Sequence, residues 1–479
     1  MTTDGRSARS VVARAALALV LLAGFYVLAV GLAGGLLWIP YAEFMYLHRV
    51  DPRIAAACVG AAGAILWSLR PRRDAFVPPG PQLHEAAQPR LFSMIREVAG
   101  RTAEAMPAEV FLVPDVNAYV AQRGGFGGFG GQRIMGLGLP LLTVLTVDEL
   151  KAVLAHEFGH YRGGDVSLGP LVYRTRAAIG RTLQETAGSF IAAPFRAYGR
   201  VFLRVSSSVS RHQEFVADRV AADAVGAAPL GSGLRKVHRA AFAFQWYMGS
   251  EVVPIIQAGH FPPIAAGFSQ FLTAPATRTM LETLEPPAAA DDYDSHPPLV
   301  DRLDAIGVKG EVESSGAYAV TLLNEVDELE FTLFQLDRRD PPLKRIAWAS
   351  VTADVSVPMW RKTMETHRST LKRIEIDQLP STMQASTQLA ADLKVKGEGY
   401  VKSEELVRRL GIVIGCAVAV MLYDRGWTCS AGPGEGPVFS RGDQHIMPFD
   451  RVLAVVFGRE PLDAWAAICN EHDLHGPLG

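Results

Sequence analysis

The chain has 479 residues, enough for two or three domains, and its 49% hydrophobic content and mean hydropathy of +0.15 sit high for a freely soluble protein. With 47 Lys and Arg against 49 Asp and Glu, the net charge of −2 offers nucleic acid no basic surface, so no nucleic-acid partner is expected. The four cysteines, Cys58, Cys416, Cys429 and Cys469, form no CxxC pair, which excludes a disulfide framework or a cysteine zinc ribbon and reads as free thiols in a reducing compartment.

Residues Ala15 to Ile39 are uncharged and rich in Leu, Val and Ala, long enough for one membrane span. A cleaved signal peptide is the rival reading, since Arg6, Arg9 and Arg14 precede the run. The apolar stretch is about twice a signal-peptide core, and a second one, Ile54 to Leu69, follows at once. Arginine flanks both outer ends of this pair (Arg6, Arg9, Arg14; Arg70, Arg72, Arg73) and is thinner between them. The pair therefore predicts a hairpin with both ends in the cytoplasm, and the lipid bilayer is a partner.

Asp74 to Gln88, with Pro78-Pro79-Gly80-Pro81, reads as a linker. An amphipathic helix over Pro89–Gly100 and a strand over Glu109–Val113 follow. The run Gly124 to Gly131 lacks the Lys-Ser/Thr of a phosphate loop; it reads as a flap beside a cleft or as a plain solvent loop.

The chemistry concentrates in His156-Glu157-Phe158-Gly159-His160. On a helix, residues i and i+4 share a face, so His156 and His160 present two imidazoles to one ion, while Glu157 reaches a water on that ion without ligating it. Leu150, Val153, Leu154 and Ala155 make the helix core-packed, and burying His-Glu-His with no metal would cost roughly several kcal/mol in unpaired polar groups. Gly163-Gly164 stop the helix.

Catalytic zinc takes three protein ligands plus water. In the helical stretch Arg211–Ala228, Glu214 reads as the third ligand, with Asp218 one turn on to accept the free N–H of a zinc histidine. His212 is the rival ligand; it faces nearly opposite to Glu214, so both cannot serve one ion. Between the two motifs, Leu168 to Ser210 carries Arg174, Arg176, Arg181, Arg196, Arg200 and Arg204. It has no span-length apolar run and predicts amphipathic helices on the protein or the membrane surface.

Pro286 to Asp294 is a Pro/Ala/Asp linker ahead of His296-Pro297-Pro298. Amphipathic helices are expected over Glu311–Ala349 and a mixed connector over Ser350–Thr382. Tyr400–Gly479 reads as a small α/β unit with a buried core helix over Leu410–Tyr423, a hairpin between Gly426 and Pro448, and a closing helix over Pro461–Asn470.

Taken together, Val113-Pro114-Asp115-Val116-Asn117-Ala118, Gly138-Leu139-Pro140-Leu141-Leu142, Asp148-Glu149-Leu150 before the histidine motif, Glu214 with Asp218, and His296-Pro297-Pro298 with Arg302 resemble the HtpX and CAAX-prenyl-protease family of membrane zinc metallopeptidases. The resemblance implies a site with His156, His160 and Glu214 on zinc and Glu157 as base. It also implies an edge strand at Asn117-Ala118 that pairs with substrate backbone, and His296 and Arg302 as holders of the oxyanion or substrate carbonyl.

The fold expected is α+β and mostly helical. An N-terminal transmembrane hairpin (1–73, spans 15–39 and 54–69) precedes a zincin-type metallopeptidase domain (74–310), a helical connector (311–399) and a small C-terminal α/β unit (400–479). The function expected is a membrane-anchored endopeptidase with one zinc per chain, cutting membrane-associated or misfolded proteins at a bacterial inner membrane with the catalytic domain in the cytoplasm. The Arg-heavy, Lys-poor composition fits such a source. The rivals are a prenyl-protein processing protease, which needs a chamber of spanning helices, and a zinc-binding scaffold or holdase, which has no need of Glu157.

Overall fold

A computed structural model describes residues 4–70, 76–123, 131–162, 169–189, 191–283, 296–310, 314–335, 342–383, 386–393, 401–460 and 462–478. Gly124–Gly130 of the glycine run, Gly163-Gly164 and the 286–294 linker lie outside these residues. Two compact units result: residues 1–241 with 284–333, and residues 242–283 with 334–479.

The first unit begins with α1 (Asp4–Leu47) and α2 (Pro52–Leu69). Asp51 caps α2, its carboxylate accepting from the Arg53 and Ile54 N–H groups, and Pro52 occupies the first helical position, where its missing N–H costs nothing. Leu19–Leu47 and Pro52–Leu69 are long and apolar enough to cross a membrane. The first apolar helix thus runs eight residues beyond the expected end at Ile39, because the polar side chains Tyr41 and Glu43 do not interrupt a helix.

Helices α6 (Gly169–Glu185) and α7 (Ala192–Val225) fill the arginine-bearing stretch. They lie on the hairpin: Ala178, Ile179, Phe195 and Phe202 are buried with Phe25, Ala29, Ala33, Ala62 and Ile65. A polar contact closes this seam, with the Ser68 and Thr182 hydroxyls 2.8 Å apart.

A four-stranded sheet, in the order β1-β2-β4-β3, combines β1 (Gln82–Leu83), β2 (Glu109–Val113), β3 (Ala118–Arg123) and β4 (Gln132–Gly138). β2 and β4 run parallel; β3 pairs with β4 antiparallel from Ala118↔Leu137 to Arg123↔Gln132 and stands at the sheet edge. Beside it pack α3 (Pro89–Thr102), which buries Leu91, Met94, Ile95, Val98 and Thr102 at helical spacing, α4 (Leu139–Val144) and α5 (Val147–Arg162). The long α8 (Ala227–Tyr247) follows α7.

The second unit is built around the helix Ser403–Asp424, whose residues Leu410 to Val420 are mostly buried among Val357, Trp360, Leu389, Val452 and Val455. The helix has 22 residues, not the 14 of its apolar run, so by length and composition it could cross a membrane, yet two thirds (67%) of it is buried inside the protein. A three-stranded antiparallel sheet (Thr428–Ser430, Val438–Arg441, Gln444–Ile446) and the helix Leu462–His472 lie in the same unit. Residues 242–283 join it through the parallel pair His260-Phe261 and Lys344-Arg345. All four cysteines are free thiols, and burial pushes Cys416 up to about 12 and Cys429 and Cys469 up to about 11.

Candidate metal centre

Helix α5 starts with a reciprocal cap. Thr146 N–H donates to Glu149 Oε2 at 2.8 Å, and Glu149 N–H donates to the Thr146 hydroxyl at 3.3 Å. Glu149 is fully buried and also receives Ser232 Oγ and Lys236 Nζ from α8, so one carboxylate fixes where α5 begins against its neighbour. Leu150, Leu154, Ala155 and Phe158 bury the inner face of α5.

Gly159, inside the histidine motif, lets α5 and α7 approach closely. A Cβ there would come within 2.9 Å of the Ala217 Cα. That approach brings Glu214 up to the histidine pair.

The His156 and His160 Nε2 atoms are 3.2 Å apart. Glu214 Oε2 lies 3.5 Å from His156 Nε2, and Glu214 Oε1 lies 3.6 Å from His160 Nε2. These three side chains can offer one ligand atom each, all within 4.8 Å of one another. Two nitrogens on a tetrahedral zinc stand about 3.3 Å apart, so the spacing fits such an ion. Glu214 Oε2 is buried and lacks hydrogen-bond geometry to any partner, although His156 and Arg302 are in ion-pair range, and a cation would satisfy it. His212 is not part of this group.

Behind the ligands, His156 Nδ1–H donates to Asp218 Oδ1 at 2.9 Å, which turns Nε2 toward the cavity. Asp218 is fully buried. Arg302 holds it in a two-pronged grip, Nε to Oδ2 at 2.8 Å and Nη2 to Oδ1 at 2.7 Å, and its third nitrogen lies 3.2 Å from Glu214 Oε2. Arg302 sits on the short helix Leu299–Ala305, directly after the turn at Pro297-Pro298, and is 8% exposed. His296 precedes that turn. Its side chain is 67% exposed, and Nδ1 lies 3.1 Å from Glu214 Oε1.

Burial opposes a charge on His156, but its hydrogen bond to Asp218 and then its contact with Glu214 outweigh that and carry the imidazole up to about 9. Burial and the neighbouring His156 charge take His160 down to about 4. Glu157 is lifted to about 7, mainly by burial. Burial works against ionised Glu214, yet the close contacts of His156 and His296 with its carboxylate hold it far below the usual carboxylate range.

A cavity of about 490 Å³ joins these groups: Asn117, Ala118, His156, Glu157, Glu214, His296 and Arg302 all line it. Of the remaining candidates from the sequence, His160 joins the group through His156 and Glu214, and Asp218 lies directly behind His156. Asn117 and Ala118 lead into the edge strand β3, and Tyr161, on α5, donates to the Val120 carbonyl of that strand at 2.9 Å. His238, on α8, also lines the cavity and has no sequence motif around it. The Thr146–Glu149 cap was missed as well, though Thr-x-x-Glu ahead of an apolar helix is its usual signal.

Two histidines and a carboxylate from two packed helices, beside a cleft and an edge strand, make a candidate metal centre. Residues 85–308 match the profile of peptidase family M48. Among curated proteins, the chain is similar to the protease HtpX homologs of Burkholderia mallei (strain SAVP1) and Burkholderia pseudomallei (strain K96243). Each is 26% identical over 234 residues, covering 44% of this chain and 79% of the relative. No solved structure matches the chain. The resemblance read from the motifs is borne out: residues 85–308, just under half of the chain, match peptidase family M48, and the chain is similar to HtpX homologs.

Proposed function

We propose that the chain is a membrane-anchored zinc endopeptidase, with the metal held by His156, His160 and Glu214. The observation that carries this reading is the ligand geometry, two Nε2 atoms 3.2 Å apart with both Glu214 oxygens facing them. Zinc, when bound, supplies Lewis acidity that makes water a nucleophile near neutral pH and polarises a carbonyl.

The chain's own residues do the rest. Glu157, in the same cavity and one residue from His156, takes the proton of the attacking water and returns it to the leaving amine. Asp218 keeps His156 in the tautomer that points Nε2 at the metal. β3 offers its open edge to an extended substrate from Ala118 onward, by strand addition. The exposed His296 donates to the substrate carbonyl as negative charge develops there. Arg302 is a positioning residue: its fork is used on Asp218 and Glu214. The span-length apolar helices ahead of the cleft support membrane-associated or misfolded proteins as the substrate class.

The test uses the full chain in detergent. Metal analysis should find one zinc per chain, and casein cleavage should stop when a chelator strips the metal and return with added zinc. A chain without zinc, or cleavage that persists after the metal is gone, would overturn the reading.

A further inference from the structure

The second unit contains its own cleft, which shares no lining residue with the metal-centre cavity. It encloses about 460 Å³. Its walls carry Trp246, Phe271, Trp348, Met359, Trp360 and Phe449 together with two carboxylates, Glu251 and Glu435, and among the described residues no Lys, Arg or His lines it. Aromatic faces attract cations through their electron-rich rings, and unopposed carboxylates add to that field.

Three further features show that the cleft is built. Glu251 lies on a π-helical turn, Met248–Val252, and a second π-helical turn, Thr352–Ser356, supplies Val355 and Ser356 to the same cleft. Such turns disrupt the ordinary helical hydrogen-bond register and occur mostly at functional sites. One wall is the loop Gly432–Pro437, pinned at Gly434: its φ of +79° and the 2.8 Å from a Cβ there to Thr277 Oγ1 leave room only for glycine. The Gly434 N–H donates to Glu251, so the carboxylate and the loop hold each other in place. At the rim, Trp246 and Met359 remain 45% and 43% exposed, apolar surface with no cover.

We propose that this cleft binds a basic side chain presented by an extended polypeptide, with the ammonium or guanidinium at Glu251 and flanking apolar residues on Trp246 and Met359. The volume is that of a site for a drug-sized group, which exceeds a bare amine and suits a basic residue together with its neighbours. The cleft would hold a polypeptide independently of the zinc chemistry.

Binding, not turnover, tests this. The full-length Glu157→Gln protein in nanodiscs, treated with chelator, is titrated calorimetrically with Ac-Ala-Leu-Lys-Leu-Ala-NH2, with the same peptide carrying Glu for Lys, and with n-butylammonium. The Lys peptide should bind saturably and at least about tenfold more tightly than either other probe. Glu251→Gln should weaken it about tenfold, and Trp246→Ala, a rim change that leaves the core intact, should do the same at unchanged melting temperature. Equal binding of the Lys and Glu peptides, no saturable binding, or indifference to Trp246→Ala would overturn the proposal. Butylammonium binding as tightly as the Lys peptide would overturn the polypeptide as ligand. Because the protein is metal-free and inactive throughout, none of these results depends on whether the chain is a peptidase.

Discussion

Glu214 and His212 are two residues apart, and the helix turns them to opposite sides, so only Glu214 reaches the histidine pair. Glu214→Ala should abolish tight zinc binding, Asp218→Ala should weaken it about 10–100-fold, and His212→Ala should leave it unchanged, all read by competitive zinc titration. Zinc loss from His212→Ala with retention by Glu214→Ala would reverse the ligand assignment. His296 and Arg302 separate in the same assay. Arg302→Ala leaves Asp218 buried without its main partner and should lower zinc affinity, whereas His296→Ala should keep zinc and slow single-turnover cleavage. The candidate ligands His156, His160 and Glu214, with Asp218 behind them, stand out in the sequence because they fall in two pairs at helical spacing, His156 with His160 and Glu214 with Asp218. The grip of Arg302 on Asp218 does not, since 84 residues separate them and no local period links them.

At the scale of elements, helix α5 owes its exact start to Thr146 and Glu149, and its place against α8 to Ser232 and Lys236. Glu149→Ala removes the cap and leaves Lys236 and Ser232 without their acceptor. It should lower unfolding free energy by about 1–3 kcal/mol in denaturant melts, while the folded fraction keeps its zinc. An unchanged midpoint would show that the helix is held by packing alone. Helix type was readable along most of the chain from apolar spacing, but lengths were not. The helix Ser403–Asp424 extends through Glu404, Glu405, Arg408 and Arg409, charges that end an apolar run without ending a helix. The edge strand β3 was anticipated at its first residue, whereas its partner β4 was not, because Gln132–Gly138 has no clean alternation.

At the scale of the molecule, α1 and α2 are the expected hairpin, and α6 and α7 pack on it through Phe25, Ala29 and Ile65. Arginine flanks both outer ends of the hairpin, Arg6, Arg9 and Arg14 before it and Arg70, Arg72 and Arg73 after it, and is thinner between them. A C-terminal reporter that works only in the cytoplasm should therefore be active in bacterial cells, and activity of a periplasm-only reporter at the same junction would invert the topology. The order of anchor, metal site and terminal unit could be read from composition. The grouping of 242–283 with the C-terminal unit could not, because it rests on distant contacts such as the pairing of Phe261 with Arg345.

The central claim is that Glu157 moves the proton while His156, His160 and Glu214 hold the metal, and the Glu157→Gln protein tests it most directly. Zinc stoichiometry and single-turnover peptide cleavage are measured on the same preparation. The account predicts one zinc per chain and a rate lowered by about 10²–10⁴-fold. A zinc-loaded Glu157→Gln protein cleaving at the wild-type rate would contradict it.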